Sequence, residues 1–148
     1  MPDITSNLVG WWKLDETGGS SAADSSASGN AGTVTGAVFT TFSKVGLGSL
    51  LFNVSNARVV IASAAALELP QTLTISSWVF PFTFTVGAFG YAAIFTRSVL
   101  FSQAAAKYAF YCFGQFDNEG QLSFSMNGTS VISSIAPTLN VWNHVAVV

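Results

Sequence analysis

The sequence predicts an all-β, antiparallel sandwich, and three observations support that fold class. First, residues alternate with the period of two that a β-strand requires; one face of the segment 73–80 carries Leu73, Ile75, Ser77 and Val79, and the other carries Thr74, Ser76, Trp78 and Phe80. Second, turn-forming residues separate such segments, as at 17–21, 28–32, 53–56 and 117–120. Third, the sequence has no convincing helical period and no βαβ pattern that would indicate a parallel sheet.

The individual elements follow from the same patterns. Two Ala-rich segments, 62–68 and 103–107, are predicted to form a helical turn or two, and Pro70 stops the first. The segment 122–127 alternates Leu, Phe and Met with Ser and Asn, and Asn127-Gly128 connects it to 130–132 as a β-hairpin, because both turn residues tolerate positive φ. The segment 141–148 is apolar on both faces, which predicts a central strand.

The composition indicates one domain over 1–148 with contacts beyond its own core. Hydrophobic residues make up 50% of the chain and charged residues 8%, against about 25% charged in an ordinary soluble domain. Thirteen Phe and four Trp exceed what one small core needs. Some apolar surface is therefore expected to face a neighbouring subunit or a ligand; the alternative is a Phe-rich core under an uncharged polar surface.

Charge and targeting signals exclude several function classes. The net charge is −2 and the five basic residues are scattered, so nucleic-acid binding is not expected. Cys112 is the only cysteine and is interpreted as a buried, inert thiol. The first residues lack the features of a secretory signal. The uncharged segment 78–96 contains Pro81 and two glycines between aromatic and Thr residues, which is typical of strands and turns rather than of a membrane-spanning helix.

Six segments in chain order carry a resemblance to a known family; they are 8–16, 24–32, 46–52, 57–61, 73–81 and 142–147. Together they resemble the laminin-G-like (concanavalin-A-like lectin/glucanase) domains common in bacterial and phage proteins. The resemblance implies a two-sheet jelly-roll sandwich that begins with a strand at 8–16. Two departures stand out: Asn53-Val-Ser-Asn56 replaces an Asp/Gly-rich turn, and the family continues with further strands after the Trp142 strand. The domain is therefore expected to be incomplete at its C-terminus, or to be completed by another chain.

No catalytic residue is predicted, and the chain is not expected to be an enzyme. Glycoside hydrolysis needs two carboxylates that face each other across a cleft. The adjacent Asp15 and Glu16 point to opposite sides of a strand, and Asp117 and Glu119 lie in a turn. His144, the only histidine, lies within the matched closing strand, where the resemblance implies a structural hydrogen bond.

Calcium is the metal that the resemblance implies, because rim sites of this fold bind it through loop oxygens. Asp24 and Asn30 match the family's Asp-x-x-x-x-Gly-Asn loop, and Asp117, Asn118 and Glu119 offer a second cluster. The alternative is that Asp24 and Asn30 make only local turn hydrogen bonds, and that the second cluster is a solvated hairpin tip.

Trp11 and Trp12 are the candidate ligand-binding residues. As neighbours on a strand they must point to opposite faces. The outward-facing indole would stack on a sugar or anchor a subunit contact, unless the following Gly/Ser loop covers it.

Two functions are predicted from these observations. The first is a non-catalytic structural or adhesion module on the surface of an assembled particle, such as a phage or virion decoration or fibre protein, with homo-oligomer or other structural subunits as partners. The alternative is a carbohydrate-binding, lectin-like module of a larger cell-surface protein, with glycans as the ligand and calcium as the candidate cofactor. Both place the protein at a virion or extracellular surface.

Overall fold

The computed structural model describes residues 5–68, 72–83, 91–98, 106–113, 120–126 and 129–148. Within these ranges the chain is all-β, with several small antiparallel sheets and one short 3-10 helix. Contacts divide it into two compact units, 1–72 and 73–148, so the single domain predicted over 1–148 stays a prediction.

The first unit contains five short strands and the 3-10 helix. The strands are β1 (Ser21–Ala22), β2 (Gly32–Thr35), β3 (Val38–Thr40), β4 (Ser49–Leu51) and β5 (Arg58–Ile61), and the 3-10 helix is Ala65–Leu67. They form a three-stranded sheet in the order β1-β2-β5 and a separate β3-β4 pair. The helix lies within the segment 62–68 that was predicted to be helical.

The core of the first unit forms where alternating side chains of these strands meet. In β2 the inward positions Gly32 and Val34 are buried, whereas Thr33 and Thr35 are exposed. Val34 packs with Ala22 and Leu50, and a ring of half-buried apolar residues surrounds these three: Trp12, Leu14, Ala37, Phe39 and Val59. Gly32 leaves no room for a side chain, because an added Cβ would overlap Val59.

In the described residues of the second unit there are six strands in two sheets. They are β6 (Ile75–Val79), β7 (Tyr91–Ser98), β8 (Ala106–Phe113), β9 (Leu122–Met126), β10 (Thr129–Ile132) and β11 (Asn143–Val147). The larger sheet has the order β10-β9-β8-β7, and the smaller one pairs β6 with β11. All of these pairs are antiparallel.

The predicted hairpin and the predicted alternation of β6 are confirmed. Thr129 pairs with Met126, so two residues separate the paired ends of β9 and β10, as in a two-residue β-hairpin. Asn127 and Gly128 themselves lie outside the described residues. In β6, Ile75, Ser77 and Val79 are half-buried. Local patterns were sufficient for both elements.

Two sequence predictions are wrong. The opening segment 8–16 is not a strand; it makes one isolated bridge, Trp12 to Asp24, and Leu14 has a φ of 60, which is incompatible with extended backbone. Ala106 and Lys107 were predicted to lie in a helical turn but belong to β8, where Ala106 pairs with Ser98 of β7; strand pairing outweighs the local helix propensity of Ala. Residues 103–105 lie outside the described ranges.

The closing strand predicted at 141–148 is confirmed over Asn143–Val147. Within the described residues β11 pairs with β6, and its central position in a sheet stays a prediction. Its two faces also differ: Val145 is buried, whereas His144 and Ala146 are exposed. This exposed face is part of the candidate site below.

In the part of the chain that the structure describes, no helix has the length and apolarity needed to span a membrane.

Candidate functional site

Asp24 organises the loop 24–30, here called the Asp24 loop. Its Oδ1 accepts hydrogen bonds from the backbone N–H groups of Trp11 and Ser26, both at 2.8 Å. Its Oδ2 accepts from the Ser26 hydroxyl at 2.8 Å and from the Asn30 N–H at 2.7 Å. Burial raises the pKa of Asp24, but these four hydrogen bonds outweigh it and hold the pKa below its ordinary value.

Asn30 joins the other end of the Asp24 loop to the segment that contains the tryptophans. Its Nδ2 donates to the Val9 carbonyl at 2.9 Å. Its own carbonyl accepts a 2.8 Å hydrogen bond from the Trp12 indole Nε1. Asp24 and Asn30 are thus brought together as predicted, and their contacts hold the loop against residues 9–12.

The Asp24 loop does not fit a calcium ion. A carboxylate has about four lone-pair sites, and protein donors occupy four at Asp24. A cation would have to displace these donors, because Ca²⁺ needs several free oxygen ligands. In the described ranges no group of three or more His, Cys, Asp or Glu residues is arranged to hold a metal. The second predicted cluster, Asp117, Asn118 and Glu119, lies outside those ranges.

The two neighbouring tryptophans differ in their surroundings, although the segment that contains them is not a strand. Trp12 packs against the core of the first unit. Trp11 is 39% exposed, and Lys13 Nζ lies 4.4 Å from the centroid of its ring. This cation–π contact occupies part of the Trp11 surface.

Asp15 and Glu16 each hold a neighbouring loop. Asp15 Oδ1 accepts from the backbone N–H groups of Leu47 and Gly48 at 2.8 and 3.1 Å. Glu16 Oε1 accepts from the Ala23 N–H at 2.6 Å. Both residues also line an open pocket of about 140 Å³.

The exposed face of the β6–β11 sheet carries a cluster of aromatic and polar groups. We call it the Trp78 face and define it by Ser76, Trp78 and His144. Strand register places His144 opposite Trp78 and Ala146 opposite Ser76. The Trp78 and His144 rings lie 5.1 Å apart at 49°, and Ser76 Oγ lies 2.8 Å from His144 Nε2. Trp78 is 41% exposed.

Three further aromatic residues lie beside the Trp78 face. Phe80 makes a tilted contact with Phe82, with ring centroids 5.1 Å apart, and an edge contact with Trp142 at 5.5 Å. Phe82 is one of the more exposed large hydrophobic side chains. Such clusters bury part of each ring while leaving a flat apolar surface for a partner.

The Ser76–His144 hydrogen bond alone does not make a catalytic triad. A nucleophilic serine needs a base that a third group orients, and no described residue of the second unit is an Asp or Glu. The hydrogen bond places a polar pair beside the Trp78 ring.

The sequence reading did not single out Trp78, Phe82 or Trp142 as site residues. The sequence does contain the alternation that groups these residues, because residues two apart lie on the same face of a strand. Ser76 therefore shares a face with Trp78, and Trp142 shares one with His144. What was missing was the pairing of the two segments, which lie 68 residues apart at Ser76 and His144.

Comparison of the chain with protein-family models, curated proteins and solved structures finds no match.

Proposed function

We propose that this chain is a non-catalytic structural and adhesion module on the surface of an assembled particle, of the phage or virion decoration or fibre kind. The observation that carries the proposal is the exposure of large apolar side chains in both units. Leu47 is 81% exposed and Val45 65% in the first unit, and Ile135 is 75% exposed and Val131 67% in the second. Burial of such side chains against other chains would remove apolar area from water, which favours association.

Charge and site geometry support the same proposal. Only 8% of residues are charged, so little electrostatic repulsion opposes association between subunits. The described carboxylates of Asp15, Glu16 and Asp24 bind backbone N–H groups of their own chain. The finer fold belongs to the proposal as well: a two-sheet jelly roll is consistent with antiparallel sheets and almost no helix.

Light scattering of the purified chain between about 1 and 100 μM tests this proposal. We expect a mass above that of the 15.5 kDa monomer, which rises with concentration by mass action. A constant monomer mass over the whole range contradicts the proposal.

The Trp78 face favours a second candidate function, which is binding of neutral glycans. A pyranose ring presents C–H groups that stack on an indole and hydroxyls that bond to imidazole and serine. Trp78 offers the stacking surface, and His144 and Ser76 offer the hydrogen-bonding groups. The Trp78 and His144 ring centroids lie 5.1 Å apart, and Ser76 Oγ lies 2.8 Å from His144 Nε2.

A glycan array tests the second candidate with the wild type and the variant Trp78→Ala. Trp11→Ala is the matched control, because Trp11 is similarly exposed but belongs to the first unit. We expect Trp78→Ala to abolish binding and Trp11→Ala to retain it, with no effect of a chelator. Absence of binding by the wild type removes this candidate.

A further inference from the structure

The outer side of β10 is an exposed, uncharged sheet edge. All four residues of β10 are exposed, and β10 is the terminal strand of the four-stranded sheet. Edge strands commonly carry Lys, Pro or a bulge that prevents pairing with another chain. β10 has none of these, since it reads Thr-Ser-Val-Ile.

Hydrogen-bond register shows which backbone groups of β10 point outward. Ser133 N–H donates to the Leu122 carbonyl at 2.8 Å, which makes that pair a hydrogen-bonded one. Hydrogen-bonded and non-hydrogen-bonded pairs alternate along an antiparallel ladder. Val131 and Thr129 therefore bond to β9, whereas the N–H and C=O groups of Ser130 and Ile132 point away from it.

We propose that a second copy of this chain binds this edge, with the two β10 strands antiparallel about a two-fold axis. Ser130 of each copy then exchanges two backbone hydrogen bonds with Ile132 of the other, which gives four bonds in all. Val131 lies on the axis and faces the Val131 of the other copy as a non-hydrogen-bonded pair. The larger sheets of two copies become one continuous sheet.

Two observations favour a second copy over a different partner. A two-fold contact places each residue close to its own equivalent, so any charge near the axis would meet a like charge. From Gly120 to Val148 the sequence contains no Asp, Glu, Lys or Arg. In addition, Val131 is 67% exposed at the centre of the strand, where the symmetric pairing would bury it against an identical side chain.

This inference rests on the proposed assembly function and specifies one of its contacts. The test uses the full chain with Val131→Lys and, separately, Val131→Glu. Each variant alone places like charges opposite each other, and we expect its half-dissociation concentration to rise by at least about tenfold. An equimolar mixture of the two is expected to restore association as a heterodimer.

Ala136→Lys is the matched control, because Ala136 is exposed but lies outside β10; its association should equal that of the wild type. Circular dichroism confirms that each variant is folded. Cross-linking gives a measurement that does not depend on charge. In a Cys112→Ala background, Val131→Cys should form a disulfide dimer under mild oxidation, and Ala136→Cys should not.

The outcomes separate the two proposals. A wild-type chain that is monomeric overturns both. A wild-type oligomer that persists unchanged in Val131→Lys, or that gives no Val131→Cys cross-link, overturns the β10 contact and leaves the assembly function intact.

Discussion

The carboxylate of Asp24 accepts a hydrogen bond from the backbone N–H of Trp11, thirteen residues earlier in the chain, at 2.8 Å. The same carboxylate binds Ser26 and Asn30. One side chain thus orients the exposed Trp11 and closes the loop that supports Trp12. This arrangement explains why the tryptophan segment is held in place without being a strand.

Removal of the Asp24 carboxylate is expected to destabilise the first unit. Hydrogen bonds to a charged acceptor contribute about 1.5–3 kcal/mol each to stability. The four contributions at Asp24 do not simply add, because all four hydrogen bonds hold the same loop. We expect Asp24→Ala to lower the free energy of unfolding by about 2–3 kcal/mol. Urea denaturation measures the change. Ser28→Ala, in the same exposed loop, is the control and should change stability by less than about 0.5 kcal/mol.

The lowered pKa of Asp24 predicts how stability depends on pH. The unfolded carboxyl takes up a proton near its ordinary pKa of about 3.9, before the folded one does. The contribution of Asp24 is therefore complete above that value and is lost as the pH falls through it towards the lower folded pKa. The urea midpoints of the wild type and Asp24→Asn should therefore move closer together as the pH falls from about 5 towards the acid limit. A difference that grows on acidification would contradict this sign.

Calcium is expected to leave the Asp24 loop unaffected, because its oxygen atoms already bind protein donors. Thermal unfolding with and without calcium measures this. Any shift in Tm should be the same in wild type and Asp24→Asn. A calcium-dependent stabilisation that the variant loses would show that the ion displaces the donors.

Gly10 is expected to tolerate no side chain. An added Cβ would overlap the Trp12 ring, so Gly10→Ala must displace that ring from the core. We expect a loss of about 1–3 kcal/mol, measured by denaturation. Gly18→Ala is the control, because nothing lies within 4 Å of its added Cβ. Equal stability of the two variants would contradict the packing of Trp12 on Gly10.

The Asn143 side chain is expected to stabilise the turn before β11. Its Oδ1 accepts from the Thr138 N–H, and its Nδ2 donates to the carbonyls of Thr138 and Val141, all within 2.9 Å. Asn143→Ala should cost about 1–2 kcal/mol. Asn143→Asp should cost at least as much, because it replaces a donor by a charge beside two carbonyls. Thr138→Ala keeps the backbone groups and serves as the control in the same denaturation series.

The sequence predicted elements whose signals are local. Alternation located β6, and the Asn127-Gly128 pair indicated the β9–β10 hairpin. The opening segment was predicted incorrectly because the positive φ of Leu14 and the bonds of Asp24 depend on residues distant in sequence. The sequence did not indicate which of Trp11 and Trp12 packs on the core, and the structure shows that Trp12 does.

The candidate site was harder to predict than the fold class. Asp24 and Asn30 were correctly grouped, yet only the structure shows that their oxygens bind backbone groups. The Trp78 face requires β6 and β11 to pair in one register. A shift of one residue would move His144 to the other face of the sheet, and no local pattern specifies that register.

The uncharged stretch from Gly120 to Val148 has a practical consequence for handling the protein. Ionic strength acts on charges, so a β10 contact should hardly respond to ordinary salt. Its apolar part weakens on cooling, because the hydrophobic contribution falls as temperature decreases. A preparation that associates at 37 °C should therefore redissolve into smaller species in the cold room, and purification buffers should be chosen by temperature before salt.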